Sequence, residues 1–448
     1  MKPSKTLPAY LSSGEKARLI PVAKESNKEQ KATSALLAAI QSVDEFGKGV
    51  LSAVGASIGK TSKIECFTEI VFKGDEKEKN SRPDGLIIVK TGSREWRALV
   101  EAKVGNNELN SQQIETYIDL ARKHKVDAVI TISNQTTALL THHPVTINKN
   151  KLKKVGLYHW SWLFLLTEAI LWEQHKGLSD PDQAYILSEL VRYLQHESTG
   201  LLGSRSLKPG WKEVYDKIHA KAPLNRASAE VAETVESWHQ LCKYMALDLS
   251  LKIGRTVPIH LSKSHQKAQN TRVSDDVEEL LQTKTLSCEF SIPDAASHVK
   301  FSADFGLRSV TFSMSLKAPK DKTTTKGKIG WLLRQLKNTE SKEKIKISAT
   351  WPSRKQDTRA TLLELEEHGY TRLEQENTSS QPTGFEITHS YDLMAKFKAI
   401  KSFPEEVATM LPKFYEDIGQ YLQEWRPKAP KIVAKEADRQ TNSAMPLD

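Results

Sequence analysis

The sequence predicts two folded parts: an α/β N-terminal domain with a mixed central sheet flanked by helices, and a separate α+β C-terminal domain. The chain has 448 residues, more than one hydrophobic core usually organises. Helical and strand-like patterns alternate in the first part, whereas strand patterns dominate the second. A stretch rich in Gly, Ser and Pro, residues 199–214, lies between the two parts and predicts a boundary.

Hydrophobic periodicity justifies the elements of the first part. Residues 1–25 resemble an extended lead-in, and a helical pattern begins at Ser26, with Glu29 placed three residues later as in a capping box. A second helix is expected to start near Asn110 or Ser111, and further helices reach about residue 200. Strands are predicted over residues 63–72, 83–91, 95–104, 126–134 and 153–160. The second and third of these strands are close enough in sequence to form a hairpin.

The second part, residues 201–426, is predicted to be α+β. Alternating patterns indicate strands over residues 286–292, 299–305, 310–316, 345–351 and 385–391, with a helix at 358–368. Its expected role is nucleic-acid or partner binding. The basic stretches 263–272 and 317–328 could contact a nucleic-acid backbone, or could simply be solvated. Residues 427–448 are expected to form a flexible tail.

The composition sets broad limits on function. The net charge is +10, which permits binding to phosphate backbones but equally describes a lysine-rich surface. The 3 cysteines form neither a zinc pattern nor a disulfide framework, so a reducing, cytoplasmic location is expected. The longest apolar run, residues 157–172, contains a histidine and a glutamate and is too short to span a bilayer. No membrane role is therefore expected.

The predicted hairpin brings three charged side chains together. Glu101 and Lys103 end one strand and share a face, because side chains alternate along a strand. Asp84 begins the neighbouring strand, and the start of one hairpin strand lies beside the end of the other. Two converging carboxylates repel each other unless a cation lies between them. The alternative is that Asp84 only caps a turn and that Glu101 and Lys103 form a solvated pair.

Hard oxygen ligands with room for water suit Mg²⁺ or Mn²⁺. Such an ion polarises a phosphodiester and lowers the pKa of a bound water. A lysine one strand period away can orient that water or stabilise developing negative charge. The three side chains therefore have the chemistry needed to hydrolyse a phosphodiester bond.

The residues Pro83-Asp84 and Glu101-Ala102-Lys103 resemble the PD-(D/E)xK motif of the restriction-endonuclease-like nucleases. The order of helix, three strands, helix and strand is similar to the core of that superfamily. Residues 113–117, QIETY, resemble the QxxxY element of its RecB-like and lambda-exonuclease-like branches. The resemblance covers about residues 26–170.

The resemblance implies a role for each matched residue. Asp84 and Glu101 would bind the metal ion together with the backbone carbonyl of Ala102, and Lys103 would orient the attacking water. Gln113 and Tyr117 would face the site from the following helix. The family often has an acidic residue on its first helix, for which Glu29 is the first candidate.

The expected activity is hydrolysis of DNA, with RNA as another possible substrate and restriction or defence against foreign DNA as a setting. Glu45 is a second candidate for the first-helix acid, and Glu69 could face the site from the first strand. The rival reading is a non-catalytic nucleic-acid- or partner-binding protein built on an inactive copy of the fold. The C-terminal domain could mediate a homodimer or bind a protein partner.

Overall fold

The computed structural model describes residues 7–21, 27–75, 82–105, 107–201, 205–353, 356–375 and 380–427. The α-helices are α1 (Lys28–Ser42), α2 (Asp44–Ser52), α3 (Ser111–Lys123), α4 (Trp162–Leu171), α5 (Pro181–Gln195), α6 (Gly210–His219), α7 (Ala229–Ile253), α8 (Lys263–Lys267), α9 (Gln269–Thr283), α10 (Thr325–Gln335), α11 (Leu362–His368) and α12 (Ser402–Asp417). The strands are β1 (Leu11–Lys16), β2 (Lys63–Phe72), β3 (Gly85–Thr91), β4 (Arg94–Ala102), β5 (Ala128–Ser133), β6 (Gly156–Ser161), β7 (Ile259–His260), β8 (Thr285–Phe290), β9 (Val299–Asp304), β10 (Ser309–Lys317), β11 (Ile345–Thr350), β12 (Thr358–Thr361) and β13 (Gly384–Asp392).

The first sheet has the strand order β1-β2-β3-β4-β5-β6. Its first four strands run antiparallel to their neighbours, whereas β4, β5 and β6 are parallel, which confirms the predicted mixed sheet. Separate apolar clusters cover its two faces, one including residues of α1 and α4 and the other residues of α3. The whole of β5 is therefore buried, as are residues 85–89 of β3 and residues 98–102 of β4.

The hairpin of β3 and β4 sets the register of this sheet. Thr91 pairs with Arg94, so only Gly92 and Ser93 form the turn. Gly92 has a φ of 61°, which a glycine at the first turn position adopts readily. Gly85 pairs with Val100 at the far end, so the residues just beyond this pair are brought together.

The second sheet has the order β12-β11-β13-β10-β9-β8-β7 and is antiparallel throughout. One face packs against a core that includes Phe301, Phe312 and Ile387 together with residues of α7 and α12. The opposite face is polar, as the alternation in β9, β10 and β11 predicts.

Three sequence predictions need correction or fall outside the structure. The lead-in contains the edge strand β1, whose sequence LSSGEK has no apolar alternation to reveal it. Residues 358–361 of the predicted helix form β12, and only residues 362–368 are helical. Ser26 and residues 428–448 lie outside the described residues, and α1 has Asn27 as its N-cap. In the described parts of the chain, no helix is both long and apolar enough to cross a membrane.

Candidate active site

Asp84 immediately precedes β3, at the end of the sheet where β4 stops. The register of the hairpin places it opposite Glu101. Its Oδ2 accepts a hydrogen bond of 2.8 Å from the backbone N–H of Ala102, a residue 18 positions away in sequence. The hairpin therefore attaches Asp84 directly to the end of β4, as the sequence predicts.

Glu101 is the most deeply buried acid of the site, with 2% of its surface exposed. Its Oε1 accepts hydrogen bonds from Lys103 Nζ at 2.7 Å and from Gln113 Nε2 at 2.8 Å. Its Oε2 is buried and has no hydrogen-bond partner among the described residues. A buried carboxylate oxygen without a partner costs free energy, of the order of 1–3 kcal/mol, unless a further ligand satisfies it.

Lys103 connects the acids of the site. Its Nζ lies 2.7 Å from Glu101 Oε1 and 3.7 Å from Glu29 Oε2. Its backbone is held on both sides, because its N–H donates to Ile132 O at 2.8 Å and its carbonyl accepts from Trp162 Nε1 at 2.8 Å. The ammonium group is therefore presented from a fixed backbone between two carboxylates.

Helix α3 adds two polar side chains from above the sheet. Asn110 caps this helix by accepting from the N–H groups of Gln112 and Gln113, which orients its first turn. Gln113 Nε2 also lies 3.1 Å from the Tyr117 hydroxyl, which donates to the carbonyl of Arg82 at 3.1 Å. The predicted Gln–Tyr pair thus links Glu101 to the segment that precedes Asp84.

The three remaining acidic candidates are placed differently. Glu29 on α1 lies at the site, where its Oε1 accepts from Asn107 Nδ2 at 2.7 Å in addition to the Lys103 contact. Glu45 on α2 instead accepts from the Ser179 hydroxyl at 2.7 Å. Of the two candidates for the first-helix acid, Glu29 is therefore the one that contacts Lys103.

Glu69 lies in a strand irregularity beside Asp84. Its φ is 51°, and its N–H donates to the carbonyl of Asp84 at 3.2 Å. Phe67 and Ile70 belong to the same core cluster, so an extra residue shifts the alternation between them. The carboxylate is exposed and interacts with the charges of Arg82 and Glu15, so its backbone rather than its side chain supports the site.

Burial and mutual repulsion shift the protonation of the acids. Burial, followed by the Glu101 carboxylate, raises the pKa of Asp84 to about 8. Burial also raises the pKa of Glu101, although Lys103 opposes this shift. The pKa of Lys103 is raised because the neighbouring carboxylates outweigh the effect of its burial. Near neutral pH the metal-free site therefore retains a proton on Asp84 and a positive charge on Lys103.

These residues suit a Mg²⁺-type ion. Asp84 and Glu101 offer two carboxyl groups that repel each other, and Glu101 Oε2 is an unsatisfied oxygen. A divalent cation would displace the proton of Asp84 and remove that repulsion. Within the described ranges, no cluster of three or more His, Cys, Asp or Glu side chains is arranged to hold a metal. Two carboxylates are nonetheless sufficient, because Mg²⁺ is commonly bound by one or two protein carboxylates and completes its coordination with waters and substrate phosphate.

A cleft of about 280 Å³ lies beside the site. It is lined by Lys28 and Glu29 of α1, by Val104 and Asn107 after β4, and by Gly200. Lys28 Nζ donates to the carbonyl of Ser198 at 2.7 Å, which links the start of α1 to the segment that precedes Thr199 and Gly200. The cleft therefore gives solvent access to the end of the sheet where Glu29 meets Lys103.

A polar row that no sequence pattern revealed extends the site across the sheet. Thr131 of β5 is the register partner of Glu101, and His159 of β6 is the partner of Thr131. Thr131 Oγ1 lies 2.9 Å from His159 Nδ1 and 2.8 Å from His143 Nε2. The parallel register of β4 and β5 could have revealed Thr131, but His143 comes from a loop whose path no pattern predicts.

Both histidines of this row are neutral near pH 7. Burial lowers the pKa of His143 to about 4 and that of His159 to about 3. They therefore add hydrogen bonds rather than positive charge to the row beside Glu101.

In comparisons with known proteins, no family model matches the sequence, no curated protein matches it, and no solved structure matches the fold. The resemblance to the PD-(D/E)xK nucleases therefore depends on the motif residues and on the arrangement described above.

Proposed function

We propose that the protein is a Mg²⁺- or Mn²⁺-dependent nuclease that hydrolyses phosphodiester bonds of DNA, with an N-terminal domain of the restriction-endonuclease-like class. The main observation in its support is the acid pair, with the half-buried Asp84 opposite the buried Glu101 and Lys103 hydrogen-bonded to Glu101. Such a cluster is costly in a protein that makes no use of it, because two converging acids and an unpartnered buried oxygen destabilise the fold.

Each residue has a distinct role in this proposal. Asp84 and Glu101, with the carbonyl of Ala102, would hold the metal ion, and Glu29 would support the site through Lys103. A bound ion polarises the phosphodiester and lowers the pKa of a water. Lys103 would orient a water for attack and would stabilise negative charge that develops on the phosphate. Gln113 holds the Glu101 carboxylate in place and is itself bonded to the Tyr117 hydroxyl.

The test is cleavage of linear and supercoiled DNA by the full chain, in Mg²⁺, in Mn²⁺ and in EDTA. We expect cleavage with either ion and none in EDTA. Asp84→Asn should reduce cleavage at least about 100-fold, because it removes a direct metal ligand. Asp294→Asn changes an exposed acid that also follows a proline and should cleave like the wild type.

Two results would contradict the proposal. One is wild-type protein that binds DNA but cleaves neither DNA nor RNA with either ion, which supports the non-catalytic alternative. The other is a cleavage activity that Asp84→Asn and Asp294→Asn leave equally intact, which would place the chemistry elsewhere in the chain.

A further inference from the structure

The outer face of the second sheet is covered by polar side chains. We use the name polar face for the residues that line a shallow cavity of about 250 Å³ on it: Lys300, Ser302, Thr311, Ser313, Lys346, Ser348, Arg359, Glu386 and Thr388. The residues between them in sequence point to the opposite, apolar core, as Phe301, Phe312 and Ile347 do. Strand alternation therefore places hydroxyl groups and cations together on one side.

The register of the strands orders these side chains into a row. Lys300 of β9 pairs with Ser313 of β10, Ser313 pairs with Thr388 of β13, and Thr388 pairs with Lys346 of β11. Three strand spacings separate the two lysines, a distance of about 14 Å. Arg359 of β12 continues the positive charge in the adjacent row, opposite Ser348. The sheet thus spaces three cations widely, with hydroxyl groups between them.

The three cations of the polar face are exposed and have no ion-pair partner within the described ranges. The one carboxylate among the lining residues, Glu386, accepts a hydrogen bond from the Ser313 hydroxyl at 2.9 Å. Glu289 of β8 is the register partner of Lys300, so a negative charge borders the polar face on the β8 side. Among its lining residues the polar face therefore has three cations and one carboxylate, whereas Asp304 and Asp392 lie beyond them on the same side of the sheet, as register partners of Ser309.

This chemistry suits phosphate groups on a regular backbone. Lysine, arginine and serine or threonine hydroxyls are the side chains that contact DNA phosphates. The polar face has no aromatic lining residue, and aromatic platforms are the usual means of holding unstacked bases. A duplex, whose bases are stacked and whose phosphates face outward, fits better than a single strand.

We infer that the polar face binds the phosphate backbone of double-stranded DNA and holds the substrate for the first sheet. The choice of DNA rests on the proposed nuclease function, whereas the preference for a duplex backbone rests on the face itself. Binding should be independent of base sequence, because the face offers contacts to phosphates only.

The experiment measures binding of the full chain to a 30-base-pair duplex by fluorescence anisotropy, in EDTA and at several salt concentrations. The variant Lys300→Ala/Lys346→Ala/Arg359→Ala should bind at least about tenfold more weakly at 0.1 M salt. Loss of three phosphate contacts should reduce the slope of log K against log salt by about 2.7. The control Lys212→Ala/Arg334→Ala/Lys337→Ala removes the same charge from exposed positions elsewhere: Lys212 lies on α6, Arg334 lies on α10, and Lys337 follows α10. This control should bind the duplex like the wild type.

The outcomes separate this inference from the proposed activity. Equal affinity of both triple variants, or equal weakening of both, would overturn the inference even if cleavage depends on Asp84. Wild-type protein that binds the duplex through the polar face but cleaves nothing would contradict only the nuclease proposal. Competition by polyglutamate as effective as competition by DNA would also overturn the inference, because the occupant would then be an acidic polypeptide.

Discussion

Two Pro-Asp dipeptides of this chain lie in opposite environments. Pro83-Asp84 precedes β3, and the Asp84 side chain accepts a hydrogen bond from the backbone of Ala102 within a buried group of acids. Pro293-Asp294 lies in the turn between β8 and β9, where the Asp294 side chain is 85% exposed and pairs with Arg255 at 2.7 Å. Asp294 has a φ of 62°, so its backbone conformation serves the turn. The position of a Pro-Asp dipeptide in the fold, rather than the dipeptide itself, therefore determines whether its aspartate can bind a metal ion.

The same contrast applies to the lysines of the first sheet. Lys90 Nζ lies 2.7 Å from Glu65 Oε2, and the two side chains are 44% and 37% exposed. The Lys103–Glu101 pair has the same distance, but Glu101 is buried. An exposed pair contributes about 0–1 kcal/mol, whereas removing one partner of a buried pair leaves an uncompensated charge.

Of the substitutions considered, Lys103→Met should reduce DNA cleavage the most. We expect cleavage to fall about 100-fold or more, because the group that orients water and offsets negative charge is lost. Lys90→Met removes an equivalent ion pair from the same sheet and should retain full activity. The measurement is the single-turnover cleavage rate in Mn²⁺, with far-ultraviolet circular dichroism to verify folding. Equal rates for the two variants would exclude a chemical role for Lys103.

The two Pro-Asp sites should also differ in the pH dependence of stability. The pKa of Asp84 is raised to about 8 in the folded protein. The stability that the protonated Asp84 carboxyl contributes is therefore fully present below the ordinary aspartate pKa and is lost as pH rises through about 8. Asp84→Asn imitates the protonated form. In EDTA it should therefore be more stable than the wild type by up to about 2 kcal/mol at pH 8, and equally stable near pH 4.

Thermal unfolding in EDTA at pH 4 and pH 8 measures this difference, with an expected rise in Tm of about 5 °C for Asp84→Asn at pH 8. Asp294→Asn should follow the wild type at both pH values, because its carboxylate is exposed and asparagine also tolerates a positive φ. A stabilisation of Asp84→Asn that is the same at both pH values would show that neither the burial of the Asp84 charge nor its repulsion by Glu101 is the cause.

The sequence predicted the hairpin and its acid pair because both depend on local rules. The strand period places Glu101 and Lys103 on one face, and the two-residue turn at Gly92 fixes the register that brings Asp84 to them. Gln113 lies beside Glu101 because a short connection joins the end of β4 to the start of α3.

Other features of the site were beyond prediction because they depend on long-range contacts. Trp162 reaches the Lys103 carbonyl from a helix 59 residues away. The irregularity at Glu69 interrupts a strand whose pattern would place that side chain with Phe67. The edge strand β1 forms through pairing with β2 and not through any apolar alternation of its own.

The smallest effect on cleavage is expected for Gln113→Ala, which tests whether α3 helps to orient the Glu101 carboxylate. Gln113 Nε2 donates to Glu101 Oε1 at 2.8 Å, and its loss leaves that oxygen with Lys103 as its remaining donor in the described structure. Residues that orient a metal ligand typically contribute about 10- to 100-fold to affinity or activity. We expect cleavage at low Mg²⁺ concentration to fall about tenfold, because a less well oriented Glu101 binds the ion more weakly and the variant then needs more Mg²⁺.

Gln112→Ala is the matched control, because the Gln112 side chain is exposed at the preceding position of the same helix turn. Its activity at every Mg²⁺ concentration should equal that of the wild type. If Gln113→Ala needs more Mg²⁺ for half-maximal cleavage but reaches the wild-type rate at saturation, Gln113 acts by positioning Glu101 as a ligand. A reduced rate that added Mg²⁺ does not restore would instead mean that Gln113 contacts the DNA. Equal activity of Gln113→Ala and Gln112→Ala would mean that α3 only packs on the sheet and has no role in metal binding.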